Sequence, residues 1–227
     1  MHWRARDGKA GEGLGGRKTI MALWKARSLS PEQKVQLVEE DSETKSFRSD
    51  ESGSFIGLGD VSMSEVHSGA LSVPASFLME LFSGGELDRM FMEKSGCINY
   101  SYTPWVSENS GVYERAVYYK FEKRISRYRV EVTSTQQKST LEGKGWLLQE
   151  VMNFHGVPLG DFFNLHIRYQ IEDLTPKAKT CKVQVLFGTE WLKSTKHQKR
   201  ITKNILKNLQ ERLKLTFSLV EKEFLSK

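Results

Sequence analysis

The sequence predicts an α+β domain in which a curved antiparallel sheet of roughly six strands covers one long C-terminal helix. Three observations predict it. Between residues 195 and 227, Ile201, Ile205, Leu209, Leu213, Phe217, Val220 and Phe224 recur at spacings of three and four, which is one apolar stripe on one helix. In 162–172, Phe163, Leu165, Ile167, Tyr169 and Ile171 alternate with polar residues. In 180–187, Cys181, Val183, Val185 and Phe187 do the same, the period of a half-buried antiparallel strand. The strands form one block with helices at its ends, which is the α+β arrangement and not the alternating one. A helix well beyond the mean of about 11–12 residues needs a large apolar partner. A curved sheet supplies one, and a sheet closed on a single helix can also enclose an apolar ligand.

The elements follow in order. Residues 1–17 are rich in glycine and arginine and are expected to form a disordered tail. Residues 18–38 hold a short apolar segment with Trp24 and then a polar stretch opened by Ser28, Ser30 and Pro31. Residues 39–72 carry too few large apolar side chains to offset their ordering entropy and read as a flexible linker. The folded domain is expected over 73–227. Phe77, Leu78, Leu81 and Phe82 make a short helix face. Ser83-Gly84-Gly85-Glu86 has capping-box spacing, with Ser83 as N-cap and Glu86 reaching back. Leu87, Met90 and Phe91 continue that helix and Gly96 ends it. Strands are expected at 99–106, 113–121, 128–136 and 145–154, with a turn at 107–111.

The 227 residues carry a net charge of +6, suited to loose attraction to anionic surfaces. No run of about 18 apolar residues predicts a membrane span. Residues 1–10 lack the apolar core of a secretory signal; Arg4, Arg6, Arg17 and Lys18 would suit a transit peptide, but Asp7, Glu12 and the glycines oppose one. Cys97 and Cys181 make no disulfide framework and read as buried thiols in a reducing cytosol.

Three segments are more specific: Gly145-Trp146-Leu147-Leu148-Gln149-Glu150, Gly156-Val157-Pro158-Leu159-Gly160-Asp161-Phe162-Phe163, and Phe187-Gly188-Thr189-Glu190-Trp191-Leu192-Lys193-Ser194-Thr195 leading into the basic helix. With Thr103-Pro104-Trp105 they resemble the VASt domain, a relative of the StAR-type lipid-transfer domains. The likeness extends to plant proteins that also carry a GRAM domain, and Thr19 to Arg27 is similar to the tail of that domain, whose strands are absent here. The resemblance implies a helix-grip fold and the non-enzymatic binding and transfer of a sterol or other apolar lipid between membranes. It implies a cytoplasmic, membrane-peripheral protein, as at contact sites between endoplasmic reticulum and plasma membrane. No cofactor is implied, and a monomer is expected. A scaffold that binds a partner protein, as in plant signalling or defence, is the alternative.

A cavity lined by Trp105, Phe163, Leu165, Ile167, Tyr169, Val183, Val185, Phe187, Trp191, Ile201, Ile205 and Leu209 would hold such a ligand by buried area. The competing reading packs the same residues into a dry core. Gly156, Val157, Pro158, Leu159 and Gly160 are proposed as an entrance loop, with an ordinary hairpin turn as competitor and 106–111 as a second rim. Lys193, Lys196, Lys199, Arg200 and Lys203, with His197, lie where cations oppose the helix dipole, so membrane docking explains them better than helix stability does. A solvated charged face is the plainer account. No recognised nucleic-acid motif accompanies the charge. No metal-ligand spacing occurs among the five histidines, and Gly11 to Gly16 matches GxGxxG without a preceding strand. Glu150 and Asp161 could meet as paired carboxylates, although surface positions are the default for both.

Overall fold

The computed structural model describes residues 61–109, 111–122, 128–141, 145–174 and 179–226. The expected tail, the segment 18–38 and the linker as far as residue 60 lie outside them. Among the described residues, one antiparallel sheet contains β1 (Ser64–Leu71), β2 (Cys97–Tyr102), β3 (Val106–Asn109), β4 (Val112–Phe121), β5 (Glu131–Leu141), β6 (Gly145–His155), β7 (Phe163–Asp173) and β8 (Cys181–Trp191). Their spatial order is β1-β8-β7-β6-β5-β4-β2, with β3 also paired to β4. The helices are α1 (Ala75–Leu78), α2 (Glu86–Lys94) and α3 (Gln198–Leu225), and 3₁₀ turns occupy Met79–Phe82 and Gly160–Phe162. This is the helix-grip arrangement, with α3 held against the curved sheet.

The sheet has eight strands, two more than expected. One is β1, which falls inside the stretch read as linker and moves the start of the domain ahead of residue 73. Its sequence, Ser-Glu-Val-His-Ser-Gly-Ala-Leu, has no clean alternation. Pairing with β8 supplies what local pattern does not, in register from Ser64↔Phe187 to Leu71↔Cys181. The other arises because the single strand expected at 99–106 breaks into β2 and β3 at Thr103-Pro104-Trp105, where Pro104 has no N–H to give to a ladder.

The expected capping box does not form. The N-cap of α2 is Gly85, without a side-chain cap, and Glu86 is exposed. Ser83 Oγ instead accepts from the Gly85 N–H at 2.9 Å. The Gly84 N–H donates to Asp88 Oδ2 at 2.8 Å. Asp88 is buried and held by Tyr100 and Arg115, so the carboxylate nearest these free amides is this one. Gly96, at φ 72, takes the left-handed position after α2.

The stripe of α3 is buried from its middle onward: Leu209, Leu213, Phe217 and Val220 are at most 6% exposed, whereas Ile201, Ile205 and Phe224 are half-buried. On the convex face, residues 61–63 cross β8 at Gly188, where a Cβ would lie 2.6 Å from both Met63 Sδ and Val61 Cγ1. Met63, Gln149 and His166 border one small crevice there. His166, expected on the solvent side, is therefore buried although it points outward. Cys97 and Cys181 are both buried and free, as expected. Burial pushes the Cys97 thiol up to about 12. No helix among the described residues is long and apolar enough to cross a membrane.

Candidate functional site

A cavity lies between α3 and the β4–β7 part of the sheet, closed on a third side by the turn Met79–Phe82 and α2. Water centres can occupy about 70 Å³ of it, and its atom-free space, counting the open mouth, is about 770 Å³. Leu81, Phe82, Phe91, Met152 and Ile167 from these walls, with Leu209 and Leu213 of α3, make most of the lining apolar. Phe82 stacks on Tyr169 with ring centroids 5.2 Å apart.

The remainder of the lining is charged or polar, from Asp88, Arg115, Gln136, Glu150 and Arg212. Strand phase puts three of them there. Arg115 falls in step with the inward Val117, Tyr119 and Phe121, Gln136 with Val132 and Ser134, and Glu150 with Leu148, Met152 and Phe154. Register then sets them side by side, since Arg115 pairs with Gln136 and Gln136 with Glu150. Arg115 Nε donates to Gln136 Oε1 at 2.7 Å, and Gln136 Nε2 donates to Glu150 Oε1 at 3.0 Å. Ser134 Oγ donates to the same Glu150 oxygen at 2.6 Å. Arg115 Nη2 lies 3.4 Å from Asp88 Oδ2, with side-chain exposures of 1% and 4%. The Tyr100 hydroxyl donates to that Asp88 oxygen at 2.8 Å.

The guanidinium of Arg115 sits over the rings of Trp105 and Tyr102, at 4.8 and 5.5 Å. Its Nη1 is buried without a hydrogen-bond partner. Burial raises the Asp88 carboxyl above its ordinary value, opposed by Tyr100, the Gly84 amide and Arg115. Burial also raises the Tyr119 and Tyr169 hydroxyls. For Arg212, burial works against the charge, but Tyr119, Cys97, Tyr169 and Glu150 outweigh it and hold the group above its usual value. The result is an amphipathic chamber: an apolar body with a charged, hydrogen-bonded floor.

Of the twelve residues expected to line a cavity, Ile167, Tyr169 and Leu209 do so. Phe163, Leu165, Val183, Val185 and Phe187 are buried in packed core beside it. Trp191 packs on Phe163 at 5.3 Å. Trp105 stands behind Arg115 and donates Nε1 to the Phe82 carbonyl at 3.1 Å. Ile201 and Ile205 pack half-buried near the start of α3. None of Gly156, Val157, Pro158, Leu159 and Gly160 borders the cavity. Val157, read as an exposed loop tip, is half-buried against the core, and the Gly160 N–H closes the turn on the Val157 carbonyl at 3.1 Å. Lys193, Lys196, Lys199, Arg200 and Lys203 are all exposed. Lys193 pairs with Asp161 and lies over the Phe162 ring at 5.2 Å. Leu192, 54% exposed, adjoins them. Glu150 and Asp161 do not meet: the first is buried in the cavity wall, the second is exposed and bound to Lys193.

Sequence reasoning did not single out Asp88, Arg115, Gln136 or Arg212, and it gave Glu150 a surface position by default, whereas Glu150 is buried in the cavity wall. For Arg115, Gln136 and Glu150 the inward direction was signalled, as polar residues in phase with apolar neighbours, but their meeting was not.

A family described as VAD1 Analog of StAR-related lipid transfer domain, VASt, matches residues 65–208. The chain belongs to the VASt family. The match begins inside β1, in agreement with the strand that the linker reading had excluded. The chain is 65% identical over 211 residues to the C2 and GRAM domain-containing protein At1g03370 of Arabidopsis thaliana, covering 92% of this chain and 20% of that protein. It thus spans about a fifth of that relative's length. Among solved structures it is similar to a START superfamily protein from Mycobacterium smegmatis, with 12% identity, 70% of this chain and 97% of that one covered, and a TM-score of 0.39. It is also similar to the Zhui aromatase/cyclase from a Streptomyces species, with 8% identity, coverages of 72% and 93%, and a TM-score of 0.43. At those scores neither likeness bears on function.

Proposed function

We propose that this VASt domain binds a sterol without catalysis and carries it between membrane surfaces. The single observation behind the reading is the amphipathic cavity between α3 and the sheet. Sterols match it in kind, with a large apolar skeleton and one small polar end. Buried apolar area is the source of affinity, at about 25 cal/mol per Å² before the costs of association. The present room of about 70 Å³ is below the roughly 300–1,000 Å³ of ordinary ligand pockets, so a sterol has to push a wall outward. The turn Met79–Phe82 is the wall suited to move. It is short, and it is held by the Phe82–Tyr169 stack and the Trp105 bond to the Phe82 carbonyl.

Docking falls to the exposed cations at the start of α3, with Leu192 beside them. Basic residues near an anionic bilayer contribute about 1 kcal/mol each. A cytoplasmic protein working at membrane contact sites fits this reading. The test has two arms. Leu209→Trp, which fills the cavity, is expected to abolish displaceable binding of a fluorescent sterol, while Lys182→Ala on the convex face leaves it intact. Reversing Lys196, Lys199 and Arg200 to Glu is expected to slow transfer from anionic liposomes and to spare binding in solution. Equal sterol binding by Leu209→Trp and the parent chain would sink the cavity reading; unchanged transfer would remove the docking role.

A further inference from the structure

We propose that the end of the sheet bearing Trp105, Val106, Tyr113, Lys138 and Trp146 is a second phospholipid-docking surface, so that one domain can touch two bilayers at once. Both tryptophans belong to the distinctive segments of the sequence, and neither lines the cavity. Strand phase carries these residues past the charged floor. Tyr113 lies two residues before Arg115 on β4, Lys138 two after Gln136 on β5, and Trp146 four before Glu150 on β6. Register sets Tyr113 opposite Lys138, and Trp146 opposite Thr140, diagonal to Lys138. Trp105 comes in from the break between β2 and β3. The Lys138 ammonium then lies 4.3 Å from the Trp105 ring centroid, 5.7 Å from that of Tyr113 and 5.9 Å from that of Trp146.

This surface selects its occupant. Among the described residues no carboxylate pairs with Lys138. Burial, and then the charge of Arg115, lower its hold on the proton. Val106 is 57% exposed, Tyr113 41%, and Leu174, just past the end of β7, 54%. An ammonium with free N–H donors calls for an anionic acceptor. Large apolar side chains held in the open call for an apolar layer, and Trp and Tyr rings suit the boundary between the two. The headgroup region of a bilayer offers phosphate to Lys138 and acyl chain to Val106 at neighbouring depths. An apolar protein face would cover the rings but strand the ammonium. Position gives the surface its use. Trp146 pairs with Ile171 and Trp191 with Phe163, eight residues or about 26 Å apart along β7. The α3 cations follow Trp191, so the two surfaces stand at opposite ends of the strands. The bridge rests on the docking role given to those cations; the surface itself does not.

The experiment sediments the full chain with vesicles of phosphatidylcholine alone, whose zero net charge gives the α3 cations little to bind. It then follows light scattering by vesicles that also contain phosphatidylserine. The parent chain is expected to bind the neutral vesicles, and Val106→Ser with Tyr113→Ser to weaken that binding about tenfold. Both positions are exposed, and thermal unfolding checks the fold. Lys138→Gln, an independent variant, is expected to cost about fivefold on the serine-containing vesicles. Reversing Lys196, Lys199 and Arg200 to Glu is expected to leave neutral-vesicle binding unchanged. The parent chain is expected to cluster the serine-containing vesicles, and either group of changes to abolish clustering. Neutral-vesicle binding that the parent chain lacks, or that the Val106 and Tyr113 changes leave intact, overturns the surface. Full competition by soluble glycerophosphocholine also overturns it, by replacing the bilayer with a free headgroup. Clustering absent from the parent chain overturns the bridge. Clustering that survives the α3 reversal sinks the earlier docking role instead, and leaves this surface standing.

Discussion

Along β8 the inward side chains are Cys181, Val183, Val185 and Phe187, all at most 3% exposed. Along β4 and β5 the corresponding face carries Arg115, Val117, Ser134 and Gln136, all at most 5% exposed. Both stretches belong to one sheet and face the same helix, yet one packs solid and the other surrounds a cavity. The difference lies in what each position leaves unsatisfied. An aliphatic side chain needs only neighbours at van der Waals distance, and the β1–β8 side supplies them. Arg115, Gln136 and Glu150 need directional partners, so they hold one another in a chain of hydrogen bonds. The β1–β8 side is packed core, and the β4–β6 side carries the hydrogen-bonded wall of the cavity.

The largest expected effect tests the packed side. Phe187→Ala should cost about 3–5 kcal/mol in chemical unfolding through the cavity it leaves, while the folded fraction keeps its ligand affinity. A loss below about 1 kcal/mol would show that β8 is no better packed than the floor, and would break the comparison.

Gly188→Ala probes the same strand from its convex face. The added Cβ has to displace Met63 and Val61, which already lie where it would sit. A cost of about 1–3 kcal/mol is expected, with faster amide exchange in residues 61–71. Unchanged exchange there would mean that β1 does not depend on this crossing.

The smallest effect sharpens the seam between β1 and α3. His67 packs on Phe217 with centroids 4.8 Å apart, and its Nε2 is buried without a partner. Burial lowers its pKa below 6.5, Glu65 opposes that shift, and Lys214 adds to it. The unfolded chain therefore binds more protons once pH falls through 6.5, so the stability contributed by neutral His67 is complete above that value and declines toward the lowered one. Melting temperature should drop between pH 7.5 and 5.5 by more in the parent chain than in His67→Leu. Equal drops would remove His67 from the seam.

Periodicity was enough to place α3, β7 and β8 and most of β5, because spacing there repeats the geometry of the element, while β4 was placed by its aromatic run beyond a turn cluster. It also marked Ile167, Tyr169 and Leu209 as inward, without distinguishing cavity from core, since a side chain facing a void and one facing another side chain have the same period. β1 was not legible. Its residues carry little pattern of their own, and its strand exists because β8 offers an unpaired edge. The capping of α2 was misjudged for a related reason: local spacing favoured Ser83 and Glu86, while long-range bonds from Tyr100 and Arg115 fixed Asp88 at the site. By itself, then, the sequence determined α3 and the strongly patterned strands and which side of each is apolar. The charged floor was decided only by the tertiary structure, because strand register brings Arg115, Gln136 and Glu150 together and the seating of α2 and α3 adds Asp88 and Arg212 from far along the chain.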